Sequence, residues 1–200
     1  MALKLSSIPN MLTIMRLLLV IPLVMLLLAN QYGIALTVFV IAGLSDGLDG
    51  LLAKRFGWVS RFGSIADPLA DKLLMVSSYF VLTWQGEIPW WLFVTILLRD
   101  LVIVGGAYIY HQLFDLEEIK PTYISKFNTF IQILLVVLVI FSLASNSISE
   151  LVIQLTIYLV LASTLTSGAQ YITIWGRKAF VKLKIKTKES DKSKEPSNDS

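Results

Sequence analysis

Four aspartates, Asp46, Asp49, Asp67 and Asp71, fall within one short stretch of an otherwise greasy chain. On a helix, spacings of three and four return to one side, so Asp46, Asp49, Gly50 and Ala53 share a face. Lys54 lies nearer that face than Arg55, and Asp67 and Asp71 are again one turn apart, with Gly63 a turn earlier. Two helices can thus present four carboxylates to one shared space. Held together near a bilayer, such groups repel one another and are poorly solvated, so some protonate unless cations are present. A pair of divalent cations resolves the conflict, and an oxygen-only donor set without His or Cys favours Mg²⁺, Mn²⁺ or Ca²⁺ over zinc. Two ions bridged by aspartates stabilise both the entering and the leaving oxygen in a displacement at phosphorus. Gly50, Ala53 and Gly63 leave room for a large ligand such as a nucleotide, although small residues also let membrane helices pack closely. Asp67-Pro68 further reads as a helix cap followed by a first-position proline, which is compatible with metal binding.

The elements that must carry these residues are apolar. The chain has 200 residues, 56% of them hydrophobic and 16% charged, with a mean hydropathy of +0.72, too greasy for an ordinary soluble domain. Cysteine is absent, which removes disulfides, thiolate metal sites and cysteine nucleophiles. A hydrocarbon core of about 30 Å needs roughly 20 helical residues. Six stretches qualify: Asn10 to Ala29, Ile34 to Lys54, Pro68 to Gln85, Ile88 to Tyr110, Lys126 to Ala144 and Leu151 to Trp175. The expected fold is an all-α integral membrane protein with six transmembrane helices and a cytoplasm-facing polar cleft.

The connections "NQYG", "GE" and "SNSISE" carry no Lys or Arg. Lys4, the Lys54/Arg55/Arg61 loop, the Lys120/Lys126 loop and the Lys-rich tail all fall on the other side, which the positive-inside rule makes cytoplasmic. Both termini and the four aspartates are therefore expected to face the cytosol. Residues 1–181 form the membrane domain in this reading. The polar stretch 182–200 is expected to be disordered, its basic part gripping anionic lipid or merely anchoring the topology. His111, the single histidine, falls in an expected loop. Trp58 and the Trp90-Trp91 pair read as interface anchors.

The acidic stretch resembles a known signature. D-x-x-D-G-x-x-A-R, eight residues, then G-x-x-x-D-x-x-x-D marks the CDP-alcohol phosphatidyltransferases, and here it runs Asp46, Asp49, Gly50, Ala53, Lys54, Gly63, Asp67, Asp71. Lys54 stands where Arg is usual, which keeps the charge but not a two-pronged contact to phosphate. The resemblance implies a six-span enzyme, usually a homodimer, that uses two divalent cations, Mg²⁺ or Mn²⁺. Such enzymes move a phosphatidyl group from a CDP-linked lipid to an alcohol and release CMP. It further implies that Asp46, Asp49, Asp67 and Asp71 hold the metals and that Asp71 deprotonates the attacking hydroxyl. Asp46, Asp49, Gly50, Ala53, Lys54 and Gly63 would line the CDP site.

Flanking strings narrow the acceptor. "IPNMLTIMR", "RDLVIVGG", "KPTYISKFNT" and "GRKAFVKLK" look like the eukaryotic-type cardiolipin synthases, which join CDP-diacylglycerol to phosphatidylglycerol. The competing member is phosphatidylglycerophosphate synthase, with glycerol 3-phosphate as a polyol-phosphate acceptor. It usually carries a second Arg in the fourth span, where this chain has only "LVIVGGAYIY" after Arg99-Asp100. Arg99, well inside a span, must face the interior or a wet cleft, and it is assigned to an anionic head group with Asp100 as a partner. Lys120 and Lys126 add charge from the next loop. Arg16 either sits near the cleft or snorkels. The rival of another class is a divalent-cation transporter, against which stand the clustering at one face and the lack of internal repeats. No nucleic-acid partner is expected, and in the absence of an Arg- and Ser-rich leader a bacterial inner membrane is the expected location.

Overall fold

The computed structural model describes residues 8–56, 61–114 and 122–192; at 8–10, 12, 46–56, 61–65, 107–114 and 175–192 it describes the backbone alone. All regular structure among the described residues is helical: α1 (Ile8–Leu28), α2 (Tyr32–Phe56), α3 (Arg61–Trp84), α4 (Trp90–Phe114), α5 (Tyr123–Ser145) and α6 (Glu150–Lys192). The six expected apolar stretches thus each become one helix. Tyr123–Ser145 and Glu150–Ile174 are long and apolar enough, by length and composition, to cross a membrane, and Thr13–Leu28 and Tyr32–Ser45 are shorter apolar stretches.

Successive helices run up and down. α1 packs on α2 and α3, α6 packs on α4 and α5, and the two groups meet where α2 lies on α5 and α3 on α4. Three tight turns close one end of this bundle, each stopped by backbone chemistry. Gly86, at φ 86°, ends α3: its N–H donates to the Thr83 carbonyl while Glu87 donates to Leu82. This is a Schellman motif, whose left-handed residue glycine adopts without a Cβ clash. Asn30, at φ 58°, stops α1 in the same way, with Asn30 and Gln31 donating to Leu27 and Leu26. Asn146, also left-handed, donates to Ser142 at the end of α5. Beneath these turns Leu23, Leu27, Leu82, Ile88, Leu92, Val139 and Ile140 are wholly buried.

Three expectations are corrected by the helix bounds. α3 begins at Arg61, so Pro68 lies inside it and Asp67 is not its cap. A proline there forgoes one backbone hydrogen bond but does not end a helix whose other bonds and packing are intact. α4 continues to Phe114, which makes His111 helical. α6 runs on to Lys192, through much of the segment expected to be disordered. Lys and Glu are good helix formers, and extending an existing helix avoids the cost of nucleation. Residues 193–200 lie outside the described residues, as does Trp58.

Candidate active site

α3 places Asp67 and Asp71 one turn apart, and α1 supplies a hydrogen-bond donor to each. Thr13, wholly buried, donates its hydroxyl to Asp67 Oδ1. One turn further along α1, Arg16 Nη1 donates to Asp71 Oδ1 at 2.7 Å. Arg16 is 0% exposed, whereas the Asp71 side chain is 44% exposed. Arg16 therefore does not snorkel; it crosses to α3.

The neighbouring residue continues the layer toward α4. Lys72 Nζ lies 2.5 Å from Asp100 Oδ2, and Arg99 Nη1 donates to Asp100 Oδ1 at 2.9 Å. Adjacent residues on a helix do not normally face each other; here both are about nine-tenths buried and a third charge, Lys72, joins them. Arg99 Nη2 also donates to Ser125 on α5 and Ser167 on α6, each at 2.6 Å. Its guanidinium lies 6.0 Å from the Tyr171 ring centroid. Asp71 thus meets Arg16, Asp100 meets both Lys72 and Arg99, and the two groups adjoin where Asp71 and Lys72 follow one another on α3, while Asp67 is held by the Thr13 hydroxyl. Buried ions persist only in such company.

Below Arg99 the seam between α5 and α6 stays polar. Asn128 Oδ1 accepts from Ser163 at 2.7 Å and Thr164 at 2.9 Å, and Tyr79 donates to the Gln132 carbonyl at 3.0 Å. A cleft of about 470 Å³ opens between α4 and α6, its wall made by Leu98, Val102, Leu165 and Ile172 with Arg99 among them. A second cleft, about 420 Å³, lies between α1 and α3 at the opposite end, lined by Val24, Leu28, Phe80 and Trp84 with no charged group. Only the first adjoins the charged layer.

The backbone of α2 carries Asp46, Asp49, Gly50, Ala53 and Lys54 in its last turns, and that of α3 carries Gly63 in its first. The side chains at these positions lie outside the described residues, as does Lys120 altogether. Among the described residues no three His, Cys, Asp or Glu converge on one point, a statement that does not reach the two α2 aspartates. Lys126 is exposed, its Nζ 5.9 Å from the Tyr123 ring centroid. No described contact joins it to Arg99. Thr13, Lys72, Ser125 and Ser167 were not singled out from sequence. Thr13 and Arg16, polar and three apart inside an apolar run, were the available signal for a buried helix contact.

Fold and site together define an all-helical bundle of membrane type with a charged layer built across five of its helices. Its family is that of the CDP-alcohol phosphatidyltransferases: the family model matches residues 6–175, and the chain belongs to it. That family is membrane-bound. Among its relatives, human cardiolipin synthase (CMP-forming) is 32% identical over 196 residues, covering 89% of this chain and 64% of the human protein. A putative cardiolipin synthase of Mycobacterium tuberculosis is 35% identical over 130 residues, covering 64% of this chain and 61% of that protein. A probable phosphatidylglycerophosphate synthase of the same organism is 30% identical over 178 residues, with 84% of this chain and 81% of the relative covered. The chain thus spans less than two thirds of the length of the two cardiolipin synthase relatives.

Proposed function

We propose that the chain is a multi-pass membrane enzyme, with its site and termini on the cytoplasmic face of a bacterial inner membrane. It transfers the phosphatidyl group of CDP-diacylglycerol to phosphatidylglycerol, giving cardiolipin and CMP. The observation that carries the reading is the stacked pair Asp67 and Asp71, each held by α1, on a helix whose neighbour α2 bears Asp46 and Asp49 at its end. Bands of exposed Leu, Ile, Val and Phe on the helices support a bilayer surround, since lipid solvates such side chains.

The donor set fits divalent cations. It consists of carboxylates only, and Asp71 combines partial exposure with an oxygen fixed by Arg16. Asp46, Asp49, Asp67 and Asp71 would hold two ions, Mg²⁺ or Mn²⁺, which when bound neutralise the diphosphate and the departing CMP. The chain's own residues do the rest. The acceptor hydroxyl gives its proton to Asp71, its oxygen bonds to the lipid-linked phosphorus, and the bond from that phosphorus to the CMP oxygen breaks. Gly50, Ala53, Lys54 and Gly63 line the CDP site in this reading.

For the acceptor, a buried Arg99 beside the greasy α4/α6 cleft suits a phospholipid, which brings a phosphate and an acyl chain together. Lys120 and Lys126 are assigned to the same head group. The similarity to a mycobacterial phosphatidylglycerophosphate synthase favours glycerol 3-phosphate as the second reading. The test offers the purified protein CDP-diacylglycerol, Mn²⁺ and each acceptor in turn, with lipid products read by mass spectrometry. Cardiolipin with CMP supports the first reading; phosphatidylglycerophosphate replaces it with the second. Cation uptake into sealed vesicles without CMP release would leave the transporter.

A further inference from the structure

Asp71 is not bare: a full positive charge, Arg16, sits 2.7 Å from one of its oxygens. Arg16 is also an odd residue to find where it is. It has no exposed surface at all, and its charge is buried within the bundle rather than at its surface. Burying a guanidinium is costly unless a partner fixes it. Thr13, one turn away, does for Asp67 what Arg16 does for Asp71 but without charge. The two contacts are in register, one helical turn on α1 against one on α3, so the arrangement is a built interface between helices. Its asymmetry, neutral donor at one aspartate and cation at the other, is what calls for a reason.

We infer that Arg16 is the positioning residue and fixed counter-cation of Asp71, an inference that rests on the metal-site reading above. Holding Oδ1 from inside the bundle, it turns the carboxylate so that its partly exposed side meets the site. Its charge also repels any divalent cation held by the same carboxylate, which limits how tightly the site keeps its ions. Removing the charge therefore has two opposite effects. Cation binding tightens, while proton transfer slows because Asp71 is no longer held.

The test uses the full chain in detergent or nanodiscs and reads free Mn²⁺ by electron paramagnetic resonance, independently of turnover. Arg16→Met should bind Mn²⁺ at least about tenfold more tightly than the wild type, since a positive charge beside a divalent ion has been lost. Its kcat should fall, with the KM for CDP-diacylglycerol changing little. Arg16→Lys should return Mn²⁺ affinity to near the wild-type value and recover part of kcat. If Arg16→Met binds Mn²⁺ no more tightly than the wild type, the inference is overturned. Should that variant fold only when Mn²⁺ is supplied, the cation has taken the place of the guanidinium, in support. If it fails to fold with or without Mn²⁺, Arg16→Lys decides: that variant folding with near wild-type Mn²⁺ affinity supports the inference, and its failure to fold or a changed affinity overturns it. The metal-site reading has its own control: a wild type that binds no Mn²⁺, or an Asp46→Asn variant that binds it unchanged, brings down that reading and this inference with it, whereas an Arg16 result contrary to expectation leaves the reading standing.

Discussion

The two ends of the bundle are built on different principles. At the turn end, Leu23, Leu27, Leu82, Ile88 and Leu92 interlock without a charge among them, and the chain reverses within a few residues at Asn30, Gly86 and Asn146. At the other, five charges and several hydroxyls link α1, α3, α4, α5 and α6, and each buried ion depends on a particular partner. Dispersion packing is forgiving, because many small contacts share the load and a lost methylene leaves the rest in place. An ion network is unforgiving, because deleting one member strands another. The lesson is a division of labour: one end sets the helix positions, and the other spends that rigidity on holding groups that water would otherwise scatter.

Four substitutions separate the two ends, beginning with the largest effect. Asp71→Asn keeps an oxygen to accept the Arg16 bond but cannot take a proton, so CMP release should drop by about two to four orders of magnitude. Circular dichroism should show the helix content preserved; near-normal turnover would remove Asp71 from its role. Asp100→Ala strands both Lys72 and Arg99 and should cost about 3–5 kcal/mol of stability, read as a lower unfolding midpoint. A loss under about 1 kcal/mol would mean that the layer is solvated and the contrast between the ends is overdrawn. Leu82→Ala, in the dry end, should cost about 2–4 kcal/mol through a cavity, yet the folded fraction should turn over at the wild-type rate. A fall in kcat there would show the ends to be coupled. Gly86→Ala should cost only about 1 kcal/mol, from forcing a Cβ into the left-handed region, with activity again unchanged.

The greasy runs made the helices legible, because six stretches of the right length have few other ways to satisfy their backbones. Their ends were less so. Pro68 mimics a helix start, and nothing local reveals that the turns before it from Arg61 are helical too. The acidic pairs were legible from spacing, since three and four are helix-surface distances. Their partners were not. Thr13 and Arg16 lie 54 and 55 residues from the aspartates they bind, and no periodicity within α1 encodes which face of α3 it will meet. Arg99 and Asp100 stood out as charges in an apolar run, but Ser125 and Ser167, which complete their shell, look in sequence like any small polar residue in an apolar helix.

The length of α6 has a consequence for reach. At about 1.5 Å per residue, its 43 residues make a rod of about 65 Å, roughly twice the thickness of a hydrocarbon core. With Glu150–Ile174 taken as the crossing segment, a straight continuation carries Lys192 about 27 Å further along the axis. Surface potential fades over about 8 Å at physiological ionic strength. If the rod stands upright, only its first turns beyond the bilayer lie within reach of the lipid charge. The same unbroken helix carries Ser167 and Tyr171 to Arg99, so a change of its angle at the far end is felt at that guanidinium.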